Sequence, residues 1–398
     1  MLENNQRPPG ARLPSLTGMR FIAALLVFFT HASIESVFSD QGVASWTHRV
    51  LEPGGRYGVS FFFVLSGFVL TWSARPHDTV RGFWRRRLAK IYPLHVVTWA
   101  MALVLLATVK SPGLVLNWHV GTLNLFLLHS WFPWSDTMVS LNAPSWSLCC
   151  EALFYLAFPL IIWLVRKIRP ALLWPAAVVA VAIVMCTPLL TSLLPQQPVI
   201  PGYDVTFYGS WFMKVFPLAH LFEFVVGIVM ARIVLTGRWI KLGFAPAVIL
   251  AVCDYYVVVK VPMYYSFAAA SIIPLALLVP AAAEADRLGT STWGLRSKVM
   301  VRLGEISFAF YMVHWLVLHY GHRVIGPVET WSTPAALGLW AAGFVVALLA
   351  AWLLHEGIEM PAMRRWSRSR AARPGAPGEP VGRVPAPAPR EQPELNLD

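Results

Sequence analysis

The sequence predicts an all-α polytopic membrane helix bundle with about ten transmembrane helices and both termini in the cytoplasm. Three observations carry this. Of 398 residues, 57% are hydrophobic and 13% charged, against about 25% charged in a soluble domain. The apolar residues fall in blocks of about the 20 residues that cross a hydrocarbon core as a helix. Basic residues are unevenly divided between the two sides. With the N-terminus inside, only Arg49, Arg56, Lys110, Lys214, Lys260 and Arg323 of the 32 Lys and Arg fall outside, which is the positive-inside bias of an even number of spans.

In chain order the blocks are Leu16–Val37, Tyr57–Trp72, Ile91–Val109, Ser145–Val165, Leu172–Leu194, Trp211–Leu235, Leu242–Val259, Met263–Ala283, Leu303–Val324 and Ala335–His355. A shorter stretch, Trp118–Trp131, holds two histidines and reads as interfacial or re-entrant. Residues 1–12 form a cytoplasmic N-terminal segment and 13–366 the membrane domain. Residues 367–398 are a Pro-rich cytoplasmic tail, expected to be disordered because they have almost no large apolar side chains to bury. The net charge of +12 is explained by the positive-inside signal and by anionic membrane lipid, so no nucleic-acid partner is expected. No cleavable signal peptide is apparent. The four cysteines lie in apolar blocks with neither a disulfide framework nor a metal spacing.

Ionisable groups within apolar blocks cost about 2.5–3.5 kcal/mol each on insertion scales, so they are the functional candidates. Arg20 and His31 lie eleven positions apart on the first helix, about 16.5 Å along its axis and on one face. Arg20 is near the cytoplasmic end and His31 in the outer half. Singly, each has a plain reading: an arginine snorkelling to headgroups and a histidine hydrogen-bonded within the bundle. The fourth block runs inward and reads SWSLCCEALFY. Ser147, Glu151 and Tyr155 share a face, and Glu151 lies about 9 Å below the outer start. That depth matches His31, so the spacing predicts a His31–Glu151 pair. Arg81, Arg85, Arg86, Arg87 and Lys90 precede the third block. With Arg20 they make a basic floor able to hold phosphates. The ninth block places Ser307, Tyr311 and His314 on one face, with His314 near the midplane.

These residues carry a resemblance. LPSLTGMRFIAALLVFFTH, GVSFFFVLSGFVL, FWRRRLAKIYPLH, SWSLCCEALFY, LGEISFAFYMVHW and HEGIEMPAMR are six blocks, over about residues 13–365, that resemble in order those of the acyltransferase 3 family of integral membrane O-acyltransferases. The resemblance implies ten core helices in a multi-pass bacterial inner-membrane protein. It also implies transfer of an acyl group, often acetyl, from acyl-CoA to a hydroxyl of a sugar, a glycan or a natural product such as a macrolide. Acetyl-CoA is the expected donor, with no metal. By position, Arg20 and His31 match the family's Arg/His pair and Glu151 the Glu of the fourth block. Lys90 stands where the family often has a second Arg, keeping the charge but losing the bidentate fork. Ala152 replaces a frequent second acidic residue.

The mechanism expected is direct transfer. His31 takes the acceptor proton as general base, Glu151 orients it, and Arg20, Arg86, Arg87 and Lys90 hold the donor; Ser147, Tyr311 and His314 line the pocket. A covalent acyl-His31 intermediate is the variant form. The rival reading is a transporter or flippase for a glycan or drug, since intramembrane His and Glu also suit proton-coupled transport.

Overall fold

The computed structural model describes residues 12–74, 78–109, 117–138, 140–325 and 330–366. The regular elements among them are helices, with two isolated β-bridges. In chain order the α-helices are α1 (Pro14–Ile34), α2 (Gln41–Trp72), α3 (Val80–Thr108), α4 (Trp118–Leu125), α5 (Trp146–Lys167), α6 (Leu173–Cys186) and α7 (Phe207–Lys214). There follow α8 (Leu221–Leu235), α9 (Phe244–Val258), α10 (Met263–Ser266), α11 (Ile272–Leu288), α12 (Lys298–Ile325), α13 (Thr333–Leu354) and α14 (Met360–Trp366). Among the described residues, eight helical segments are long and apolar enough to span a membrane. The chain is a multi-pass helical membrane bundle. Each of the ten apolar blocks is largely helical, although Trp211–Leu235 is broken between α7 and α8 and Met263–Ala283 between α10 and α11; α9 and α11, with 15 and 17 residues, are shorter than a full crossing requires. The N-terminal segment to residue 11, Lys110 and the tail from residue 367 lie outside the described residues.

The end of the bundle at which α1 begins also carries the basic start of α3, and is here the inner end. α1, α2, α8 and α12 form the centre. α1 packs on α2 and α12, and α2 on α8. α3, α6 and α13 lie outside this group and keep most of their apolar surface at the periphery. A helix that is apolar all round does so when one side meets protein and the other lipid. Glycines set the closest crossings. A Cβ on Gly58 would collide with the Ala23 carbonyl, one on Gly67 with that of Phe224, and one on Gly227 with that of Val64. Small residues of this kind let membrane helices approach backbone to backbone.

Two elements differ from the expected pattern. α2 begins at Gln41, capped by Asp40, so its outer half includes Glu52 and Arg56. Pro53 interrupts its hydrogen bonding. Nearby carbonyls accept hydroxyls instead: Val50 from Tyr255 at 2.7 Å, Leu51 and Glu52 from Thr30 at 2.7 and 3.1 Å. α3 begins at Val80, capped by Thr79, so the basic cluster lies on the helix rather than ahead of it.

The segment between α3 and α5 dips into the bundle, in keeping with the re-entrant reading of Trp118–Trp131. Non-helical backbone at membrane depth needs internal partners. The Asn124 amide donates to the Ser140 carbonyl at 3.0 Å and lies 3.1 Å from the Ser145 hydroxyl, and Trp211 donates to the Ser130 carbonyl at 3.0 Å. Asn142 donates to the Met312 carbonyl at 2.8 Å. α5 therefore starts level with the middle of α12, not at the outer surface.

Candidate active site

That start corrects the expected pairing of His31 with Glu151. Ser147 lies opposite Tyr311, with their hydroxyls 2.8 Å apart. His314 is three residues outward of Tyr311 and Glu151 four residues inward of Ser147, so the two differ in depth by about 10 Å. Glu151 accepts the Tyr155 hydroxyl at 2.9 Å, the i,i+4 contact their shared face predicted. It lines a small pocket of about 50 Å³ with Arg20, Ser147, Ser307 and Tyr311. Lys90 is close enough for its charge to interact with Arg20, Arg87, Glu151 and Glu359.

His31 instead meets His314. Its Nδ1 lies 3.1 Å from His314 Nε2 and 3.0 Å from the Val27 carbonyl. His314 Nδ1 lies 3.2 Å from the Phe310 carbonyl. A carbonyl only accepts, so His314 Nδ1 carries the proton, and in the neutral ring Nε2 is then an acceptor. His31 Nδ1 must therefore be the donor, shared between Val27 and His314. The lone pair of His31 is left on Nε2, which has no hydrogen-bond partner among the described residues. This is the tautomer a general base needs.

His31 lines a second pocket, of about 80 Å³, with Thr30, Glu52, Arg56, Ser60, Trp146, Lys214, His220 and Tyr311 among others. Tyr311 and Val59 line both small pockets, so the Tyr311 side chain stands between the His31 level and the Arg20–Glu151 level. At the inner end a cavity of about 710 Å³ opens between the end of α2, the start of α3 and α5. Its lining includes Asp78, Arg86, Arg87, Phe158, Trp163 and Arg166. Arg86 pairs with Asp78 at 2.6 Å and Arg87 lies over the Phe83 ring at 5.5 Å. Tyr155, whose backbone carbonyl accepts from Trp84 at 2.9 Å, sits beside Phe83 on the way from this cavity to Glu151.

The expected floor is thus split. Arg86 and Arg87 line the inner cavity, while Arg20 and Lys90 lie deeper, beside Glu151. Sequence reasoning missed Arg166, which it counted only as a loop charge. It also missed the outer-level group of Glu52, Arg56, Lys214, His220 and Glu223. Glu223 is fully buried and lies 2.7 Å from His220; a Glu within an apolar block was the available signal.

From the inner end outward the levels are a basic cavity, the small Arg20–Glu151 pocket and a half-buried imidazole with a free lone pair. An acyltransferase domain model matches residues 13–356. The chain belongs to the acyltransferase 3 family. It is 44% identical over 395 residues to the acyltransferase MdmB of Streptomyces mycarofaciens, covering 98% of this chain and 99% of that one. It is also 27% identical over 217 residues to the peptidoglycan O-acetyltransferase OatA of Listeria monocytogenes, covering 50% of this chain and 31% of that protein. The O-acetyltransferase OatA of Staphylococcus aureus is 28% identical over 175 residues, 40% of this chain and 26% of that one. No solved structure matches the chain.

Proposed function

We propose that this member of the family is an acyl-CoA-dependent O-acyltransferase of a bacterial inner membrane. It moves an acetyl or short acyl group to a hydroxyl of a sugar, a glycan or a natural product such as a macrolide. The observation that carries this reading is the His31–His314 contact, which leaves His31 Nε2 able to accept a proton; the small Arg20–Glu151 pocket lies inward of it and the arginine-lined cavity at the inner end. The similarity to named O-acetyltransferases supports a hydroxyl acceptor.

In this reading Arg86, Arg87 and Arg166 hold the donor phosphates, and the pantetheine arm passes Tyr155, Arg20, Lys90 and Glu151. The thioester stops at Tyr311, with Ser147 holding the phenol in place. The acceptor hydroxyl approaches His31 Nε2. The O–H proton goes to Nε2 as oxygen attacks the thioester carbon, and the imidazolium returns that proton to the departing thiolate. His314 takes the part first expected of Glu151. Its Nε2 lone pair holds the His31 tautomer and accepts a stronger hydrogen bond once His31 is charged, as an orienting carboxylate does in a hydrolase triad. Glu151 offsets part of the charge of Arg20 and Lys90 beside it.

The test is turnover of acetyl-CoA by purified protein in detergent, read as free thiol, with a hydroxylated macrolide or a glycan as acceptor. His31→Ala is expected to lose about 10²–10⁴-fold in rate, the worth of a general base, while retaining acetyl-CoA binding. Normal turnover by that variant would refute the assignment, and a wild-type protein that releases no thiol would favour a transporter. Mass spectrometry of metabolites and envelope glycans with and without the gene identifies the acceptor, as a mass difference of one acyl group.

A further inference from the structure

Among the described residues, one cation lining the pocket that holds His31 has neither a hydrogen-bonded nor an ion-paired partner. Of its ionisable lining groups, Arg56 is paired with Glu52 one turn away and its guanidinium also lies over the Phe267 ring at 5.3 Å. His220 is hydrogen-bonded to Glu223 at 2.7 Å, and that pair is neutral overall wherever the shared proton sits. Lys214 is different. Among the described residues its ammonium makes neither a hydrogen bond nor an ion pair within 4.0 Å, although its charge interacts with those of Glu52 and Arg56 and is near enough to act on His31.

An unpaired ammonium at such depth is costly, and the fold holds it in place at both ends of a short element. Lys214 is the last residue of α7, where the free carbonyls favour a cation. At the start of α7 the Thr206 hydroxyl accepts from the Gly209 amide at 3.0 Å, and the Tyr264 hydroxyl accepts from the Thr206 amide at 2.8 Å. Beyond its end, His220 Nε2 donates to the Lys214 carbonyl at 3.3 Å, and Nδ1 is anchored by Glu223. Phe63 and Trp146 flank the His220 ring, with centroids at 5.1 and 5.6 Å. The buried His220–Glu223 pair therefore acts as a positioning device for the backbone from which Lys214 reaches into the pocket.

We infer that Lys214 is a further catalytic residue, an N–H donor that stabilises the oxyanion formed when the acceptor hydroxyl attacks the thioester carbonyl at His31. The inference rests on the acyl-transfer reading above. As the new C–O bond forms, the carbonyl π pair moves onto oxygen, the acceptor proton passes to His31 Nε2, and the oxyanion is held by Lys214 Nζ–H. Collapse restores the carbonyl, breaks the C–S bond and sends the sulfur away as thiolate, which takes the proton from His31. A cation prepositioned in a dry site needs no reorganisation when this charge appears, which is why such donors contribute strongly to rate.

The experiment compares wild type, Lys214→Met, Lys214→Arg and His31→Ala as full-length purified chains, with acetyl-CoA as donor and a hydroxylated macrolide as acceptor. Lys214→Met keeps the length and apolar surface of the side chain but has no donor. It is expected to lower kcat by about 10²–10³-fold, the effect of removing one oxyanion donor. KM for acetyl-CoA should stay within about threefold of wild type, since an interaction made only in the transition state leaves ground-state binding alone. Lys214→Arg, which returns a cationic donor, should recover at least about tenfold of the loss. A Met variant with a wild-type kcat, or one changed only in KM, overturns the role of Lys214. So does an Arg variant no faster than the Met variant; if Lys214→Met fails to fold, a folded Lys214→Arg that is itself down by the full loss of about 10²–10³-fold overturns the role instead. Undiminished turnover by His31→Ala overturns instead the reading beneath it.

Discussion

His314 Nε2 lies 3.1 Å from His31 Nδ1, across 283 positions of sequence and between two central helices. The relationship is directional. The Phe310 carbonyl 3.2 Å from His314 Nδ1 fixes which nitrogen of each ring bears hydrogen, and so determines that the free lone pair belongs to His31, a lining residue of the outer pocket. In the proposed mechanism one histidine is the base and the other its orienting partner, the first half-buried and the second fully buried.

Replacing the orienting ring should therefore be less severe than replacing the base. In His314→Ala, His31 keeps only the Val27 carbonyl as a partner and loses the acceptor that stabilises its charged form. The expected loss in kcat is about 10–10²-fold, below the 10²–10⁴-fold of removing a general base, with KM for acetyl-CoA unchanged. Steady-state kinetics on both single variants and the double variant check this. Because the two rings act as a unit, the double variant should be no slower than His31→Ala alone.

The inner cavity makes a separate prediction about the donor. Arg166 faces Arg86 and Arg87 across a space with Asp78 as the acidic lining residue, and Asp78 is engaged by Arg86. Arg166→Ala should raise KM for acetyl-CoA by about 10–10²-fold, the equivalent of a charge-assisted hydrogen bond of about 1.5–3 kcal/mol, and leave kcat nearly as it was. Binding of free CoA should weaken in parallel. An unchanged affinity for CoA would remove Arg166 from the donor site.

The positions of these residues show what was legible in sequence. Length and hydropathy located every apolar helix, because the lipid core demands an uninterrupted apolar run whatever the neighbours are. The shared faces of Ser147–Glu151–Tyr155 and of Ser307–Tyr311–His314 were also legible, since local helical geometry sets them. Depth was not. Counting from Ser145 assumed that α5 starts at the membrane surface, whereas Asn142 is tied to Met312 halfway along α12, so Glu151 lies a level below His31. The outer half of α2 was hidden for a different reason. Its polar residues and Pro53 break the apolar pattern, and the helix persists because α1 and α9 supply hydroxyls to its carbonyls. Lys214 read as an outer-loop charge because nothing local reveals that α7 turns it inward.

The crossing of α2 and α8 should be intolerant of any side chain at two glycines. A Cβ at Gly67 meets the Phe224 carbonyl, and one at Gly227 meets that of Val64, so the helices are in contact through their backbones. Gly67→Val and Gly227→Val should each destabilise the bundle by about 1–3 kcal/mol, the usual cost of overpacking, seen as a lower thermal midpoint in detergent. Combined, they should cost less than the sum, because once the helices are forced apart the second side chain finds room. A midpoint unchanged in either single variant would mean that this contact does not hold the bundle together.

The outer end of α1 carries a pH-dependent clamp. Glu35, just beyond the helix, accepts from His319 at 2.7 Å and from Arg323 at 2.9 Å, and Trp315 stacks on the His319 ring at 4.4 Å. Burial pushes the Glu35 carboxyl up, but the hydrogen bonds and charges of His319 and Arg323 outweigh it and hold the group below the ordinary glutamate range. A carboxyl depressed in the folded state adds stability that is present above its unfolded value and lost as pH falls through the folded one. Glu35→Gln should thus melt below wild type near neutral pH, by the equivalent of about 1–3 kcal/mol for a partly buried cation left without its counter-charge. The difference should shrink as pH is lowered through and beneath the ordinary glutamate range, because the wild-type carboxyl then becomes neutral too. Melting curves of the two proteins in the same detergent across that range check it. A gap that stays constant down to the acid limit of folding would show that Glu35 acts there through packing rather than charge.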